Sequence, residues 1–117
     1  KFTASGCVTV SFRDFPDGYF PDMLDSLDRT VALNWDRMIG GHPFPGGRYA
    51  TKDDVRAYKQ YLVDLNDAVK AAAAAGKCWD AAMAEVKLPK YEKWGGYERF
   101  LPMNVEKFCN FWGRGYW

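Results

Sequence analysis

The sequence has 117 residues, 48% of them apolar and 17% aromatic, and a formal net charge of +1. That is one domain at most, too apolar for disorder and long enough to bury a modest core. Acidic and basic residues are interspersed, which gives no electrostatic case for nucleic acid or an anionic membrane, and no apolar run approaches the ~20 residues of a membrane span.

In chain order, residues 7 to 12 (Cys-Val-Thr-Val-Ser-Phe) alternate with the period of a strand. Residues 13 to 21 hold Asp-Phe-Pro-Asp-Gly and Phe-Pro, a turn-rich connector. A first helix is predicted from about Asp22 to Leu33, with Met23, Leu24, Leu27 and Val31 on one face and Asp25, Asp28 and Arg29 pointing away. Asn34-Trp35-Asp36 ends it, and Arg37 to Ile39 is a short strand entering the loop Gly40-Gly41-His42-Pro43-Phe44-Pro45-Gly46-Gly47. A loop this rich in Gly and Pro, carrying the only imidazole of the chain at the end of a strand, is well placed to reach a site.

The best-specified element runs from Thr51 to about Ala75. Thr51 is a capping residue, and Asp53 and Asp54 suit the positive helix end. Val55, Tyr58, Leu62, Leu65, Val69 and Ala72 step by alternating three and four, a single apolar stripe. Five alanines follow, and Gly76 is a natural terminator. A third helix, from Lys77 or Cys78 to Val86, buries Trp79, Ala82, Met83 and Val86. Residues 87 to 101 read as irregular and aromatic, and Pro102 then opens a last helix with Val105, Phe108, Cys109 and Trp112 on one face. Two short strands do not make an independent sheet, so the chain reads as incomplete by itself.

Candidate chemistry is sparse. Cys7, Cys78 and Cys109 are odd in number, widely spaced and without a C-x-x-C, the pattern of free thiols in a reducing cytoplasm. Asp53 and Asp54 are either paired catalytic carboxylates or dipole-favoured helix-start acids, and the second fits their position better. Asp14 and Asp17 flank Phe15-Pro16 as turn residues, and Ser5 and Ser11 have no histidine near them in sequence to activate them. Gly40-Gly41 and Gly46-Gly47 lack phosphate-loop spacing and give a tight loop its backbone freedom. The rings of Tyr91, Trp94, Tyr97, Phe100, Phe108, Phe111, Trp112, Tyr116 and Trp117 either line a pocket or close helices over a core.

The stretch Ser26-Leu27-Asp28-Arg29-Thr30-Val31-Ala32-Leu33-Asn34-Trp35-Asp36-Arg37-Met38-Ile39-Gly40-Gly41-His42 resembles the C-terminal part of the metallo-β-lactamase fold superfamily. The likeness continues through Thr51-Lys52-Asp53-Asp54-Val55, Tyr58 to Leu62, Leu88 to Trp94 and Tyr97 to Glu106, and so covers roughly Phe12 to Phe108. It implies an α/β fold: this chain would be the C-terminal half of a four-layer αββα sandwich, helix-rich with a few short strands. Residues 1–117 would form a single partial domain, with 88–117 as an aromatic C-terminal extension.

The resemblance also implies a site. His42 would be one metal ligand, and the H-x-H-x-D-H ligands would come from an N-terminal half, as a separate chain or a segment outside these residues. The family's bridging aspartate would fall near residues 4 to 6, where this chain has Ala4, Ser5 and Gly6, and its usual Gly-His-Gly reads Gly41-His42-Pro43. In such a site zinc lowers the pKa of a bound water towards neutrality, and the hydroxide attacks an ester, amide, thioester or lactam carbonyl. The expected function is therefore a cytoplasmic zinc-dependent hydrolase of a small-molecule substrate, silent as an isolated chain and compatible with a homo-oligomer. The alternative is a non-catalytic interaction or self-association module that uses the aromatic C-terminal third.

Overall fold

In a computed structural model, residues 3–4, 20–40 and 47–114 are described. Strand β1 (Thr3–Ala4) is followed by helix α1 (Phe20–Ala32), strand β2 (Ile39–Gly40), helix α2 (Lys52–Ala74), helix α3 (Asp80–Glu85), a 3-10 turn (Pro89–Tyr91) and helix α4 (Tyr97–Arg114). The strand expected over residues 7 to 12, the connector over 13 to 19, and Tyr116 and Trp117 lie outside the described residues.

The α/β expectation, half of a four-layer αββα sandwich, is overturned. The described chain is a small all-helical domain. Its strands are two residues each and pair in parallel, Thr3 beside Ile39 and Ala4 beside Gly40, which is far too little to present a face for helices to cover. The helices bury their apolar stripes against one another instead, with α2 packed on α1, α3 and α4.

α2 is the centre of this arrangement, and its ends show why. Thr51 Oγ1 accepts from the Asp54 backbone N–H at 3.3 Å, and the Asp54 carboxylate accepts from the Thr51 N–H at 2.8 Å, a complete capping box. At the other end Gly76 adopts φ 71°, which lets its N–H reach the Ala73 carbonyl while the Lys77 N–H reaches that of Ala72. This is a Schellman closure, which needs a left-handed residue where glycine stands. Between the caps, Val55, Tyr58, Tyr61, Leu62, Leu65 and Val69 are buried. Beyond Val69 the alanine run carries nothing large, and the run is half-buried or open.

α1 contributes Phe20 and Leu27 to the core, with Met23, Leu24 and Val31 packed at its margin. Its start lies two residues earlier than expected, because Phe20 is drawn inward onto Phe108, with ring centroids 4.8 Å apart. α4 departs further from expectation. It begins at Tyr97, inside the stretch read as irregular, so that Pro102 lies within the helix and not at its first residue. Phe100 N–H already donates to the Gly96 carbonyl at 2.9 Å, and Leu101 is buried. Burial of that first turn outweighs the hydrogen bond that Pro102 cannot donate. Val105, Phe108 and Cys109 then complete the core face.

The stretch between α3 and α4 is fastened by polar contacts. The Tyr97 hydroxyl accepts from the Leu88 N–H at 2.9 Å, and the Tyr91 hydroxyl donates to Asp64 on α2. Burial pushes the Asp64 carboxyl up, but hydrogen bonds from Tyr91 and Gln60 outweigh it and hold the group below its ordinary value.

Candidate functional site

The segment between α1 and α2 is a loop clamped at its base. Met38 and Ala50 exchange both backbone hydrogen bonds, at 2.9 and 2.8 Å, and both side chains are buried. The described strand β2 leaves this bridge directly and points the chain towards residues 41–46. On the return side Arg48 grips Asp54 with both guanidinium nitrogens at 2.8 Å, which ties the loop's exit to the first turn of α2. On the entry side Lys52 Nζ donates to the Leu33 carbonyl at 2.8 Å, and Trp35 Nε1 donates to the Thr30 carbonyl at 2.6 Å. Both fill the unsatisfied carbonyl end of α1, where a cation is also favoured by the helix dipole.

The electrostatics of this base are those of a clamp. The hydrogen bond from Arg48 is the main cause that holds the Asp54 carboxyl down to about 2, against a smaller upward push from burial and with further help from Thr51. Asp53 is turned outward and pairs with Arg56 at 2.7 Å. The two acids therefore do not form a catalytic pair. Both act at the start of the helix.

His42 lies outside the described residues, as do Cys7, Ser5, Ser11, Asp14, Asp17 and the rest of the 41–46 loop. Among the described residues no three His, Cys, Asp or Glu side chains come together as a donor set for a metal. The described part of the chain supplies the base of the loop that carries His42.

The aromatic residues of the C-terminal third mostly touch one another or the core. Tyr91 meets Trp94 at 4.8 Å and Tyr61 at 5.3 Å, both edge-on, and Trp94 also lies against Tyr61. Trp112 Nε1 donates to Asn66 on α2 at 2.9 Å. These rings close helices together.

One feature had no signal in the sequence. A groove of about 350 Å³ runs along the seam of α1 and α2, with Leu27, Val31, Val55 and Val63 along its floor and Arg56, Lys59 and Gln60 at its rim. Lys59 Nζ crosses the seam to Asp28 at 2.7 Å. A groove between helices depends on the angle and spacing of two elements, which no local pattern carries.

A second feature surrounds the clamp. Leu33, Ile39 and Tyr49 are 47%, 41% and 44% exposed, three of the four large hydrophobic side chains that stand open among the described residues. Ile39 and Tyr49 flank the Met38–Ala50 bridge in sequence, Leu33 follows the last residue of α1, and the Arg37 guanidinium lies over Tyr49, 5.2 Å from the ring centre. No helix among the described residues is long and apolar enough to cross a membrane. No family model matches the chain, and neither the curated proteins nor the solved structures compared with it give a match, so none of them identifies a relationship to the metallo-β-lactamase superfamily.

Proposed function

We propose that this chain is the helical portion of a cytoplasmic metal-dependent hydrolase, silent alone and completed by further polypeptide, with His42 one ligand of a zinc ion that activates water. The observation that carries the reading is the apolar surface at the base of the His42 loop. Ile39 on β2 and Tyr49 beside the Met38–Ala50 bridge stand open, with Leu33 open at the end of α1, and the β1–β2 pair has no further strand among the described residues. Open apolar side chains around a two-stranded pair offer a surface that a further segment can cover. The reading does not depend on the layered sandwich, and its sequence support is the resemblance around Gly41-His42.

The test is zinc content and hydrolysis of ester, thioester and lactam substrates by the protein produced from its full-length gene, beside the same protein carrying His42→Ala. The expected result is bound zinc and turnover in the parent and loss of both in the variant. Metal content and activity that ignore His42→Ala sink the ligand assignment.

The α1–α2 groove favours a second reading, a non-catalytic module that binds a partner segment with small aliphatic side chains over Val31 and Val63. It is preferred if the full-length protein carries no metal and Val63→Arg abolishes association with a partner while the fold is kept.

A further inference from the structure

Two of the three cysteines meet at the junction of α3 and α4. Cys109 is buried on α4, and Cys78 is half-buried in the turn between α2 and α3. Two observations place their side chains together. The N–H of Trp79, the residue after Cys78, donates to Cys109 Sγ at 3.4 Å. A Cβ built on Gly113 would stand 3.6 Å from the Cβ of Cys78, and Gly113 lies one turn beyond Cys109 on the same face of α4.

The backbone is bent to make this meeting. Trp79 holds φ 63° and ψ −113°, a conformation ordinarily left to glycine. It is held there by the N–H to Cys109, by Nε1 donating to Asn110 at 3.1 Å, and by the Arg114 guanidinium 4.5 Å over its ring.

We propose that Cys78 and Cys109 are a reversible redox pair that closes into a disulfide, tying the α2–α3 turn to α4. The co-reactant is a low-molecular-weight disulfide such as oxidised glutathione. The thiolate of Cys78, the more accessible sulfur, attacks one sulfur of that disulfide and expels one small thiolate, giving a mixed disulfide. Cys109 then loses its proton to solvent and its sulfur attacks Cys78 Sγ, expelling the second small thiolate. Two protein thiols are oxidised and one small disulfide is reduced to two thiols. Burial pushes the Cys109 thiol up to about 11, and the neighbouring Cys78 adds to the rise. That keeps it a poor nucleophile towards disulfides in solution until a mixed disulfide on Cys78 is held beside it, so Cys109 serves as the resolving sulfur and Cys78 as the first to react.

The test uses the protein with Cys7→Ser, equilibrated with mixtures of reduced and oxidised glutathione. The expected product has lost two hydrogens by intact mass, carries no glutathione, and yields a peptide joining Cys78 to Cys109 on non-reducing digestion. Its midpoint of thermal unfolding rises by on the order of 5–10 °C, as closure of a loop of about 30 residues requires after allowance for strain, and dithiothreitol reverses the rise. Cys78→Ser in the same background removes both the cross-link and the thermal shift, and Cys109→Ala leaves a single stable glutathione adduct on Cys78. A lasting adduct on Cys78 with Cys109 intact, a dimer linked through Cys78, or no mass change under excess oxidant overturns the proposal. Cys78 sits in a turn, so Cys78→Ser is decisive even if Cys109→Ala fails to fold.

Discussion

Asn104 on α4 donates its side-chain amide to the hydroxyl of Tyr61 on α2 at 2.6 Å, with both side chains in the interior. Burial is the main reason the Tyr61 phenol is pushed far above its usual range, so it stays a neutral hydroxyl throughout the working pH range. A neutral pair buried between the two principal helices favours their register, because sliding either helix by a residue breaks this hydrogen bond in the interior. Tyr61→Phe is expected to lower stability by about 1–3 kcal/mol. In a double-mutant cycle with Asn104→Leu, the two single losses should exceed the double by about 1 kcal/mol. Urea unfolding followed by circular dichroism measures both, and strictly additive losses would show that the contact carries no coupling.

Acid should weaken the fold through Asp54. Its folded-state value of about 2 lies below the 3.8 of the unfolded chain. A carboxyl depressed in this way stabilises the fold fully above the unfolded value, and the contribution drains away as pH falls from about 4 to about 2. The parent protein is expected to lose thermal stability across that window more steeply than Asp54→Ala. Parallel curves in a pH series of melting temperatures would refute the assignment.

Lys52 joins two helix ends that are distant in sequence. Its ammonium caps the Leu33 carbonyl and lies 5.5 Å over the Trp35 ring. Lys52→Met keeps the side-chain stem and removes the charge, and is expected to cost about 0.5–1 kcal/mol at low salt. Because the site is partly open, the difference should shrink in concentrated sodium chloride, which is measurable by chemical denaturation at two salt levels.

Ala50→Pro removes the N–H that donates to the Met38 carbonyl. The expected result is a loss of about 1–3 kcal/mol and faster limited proteolysis between Met38 and Ala50, with α2 intact by circular dichroism. Unchanged cleavage rates would mean that the bridge does not clamp the loop.

Legibility in the sequence follows the range of the interactions involved. α2 is readable almost residue by residue, because its cap at Thr51, its stripe from Val55 to Val69 and its stop at Gly76 are all local signals. Tyr61 escapes notice beside that stripe, since its burial depends on Asn104, Tyr91 and Trp94 arriving from far along the chain. Pro102 misleads for a related reason. Taken locally it opens a helix, yet burial of Leu101 starts the helix a turn earlier. The layered fold rests on likeness to a family and not on strand patterns in these residues, and two-residue strands cannot carry it. At the site, the acids Asp53 and Asp54 are legible as helix-start residues, but the clamp by Arg48 and the Met38–Ala50 bridge are not. Both join residues across a loop, where periodicity says nothing.

The alanine run at the end of α2 sets an angle as well as a length. Each residue of an α-helix turns the chain by about 100° and advances it 1.5 Å. Ala71 to Ala75 therefore act as a spacer whose count fixes the direction in which Gly76, Lys77 and Cys78 leave the helix. With one alanine fewer, the turn departs from another side of α2 and Cys78 faces away from α4. The identity of these residues can drift among good helix formers, but their number cannot.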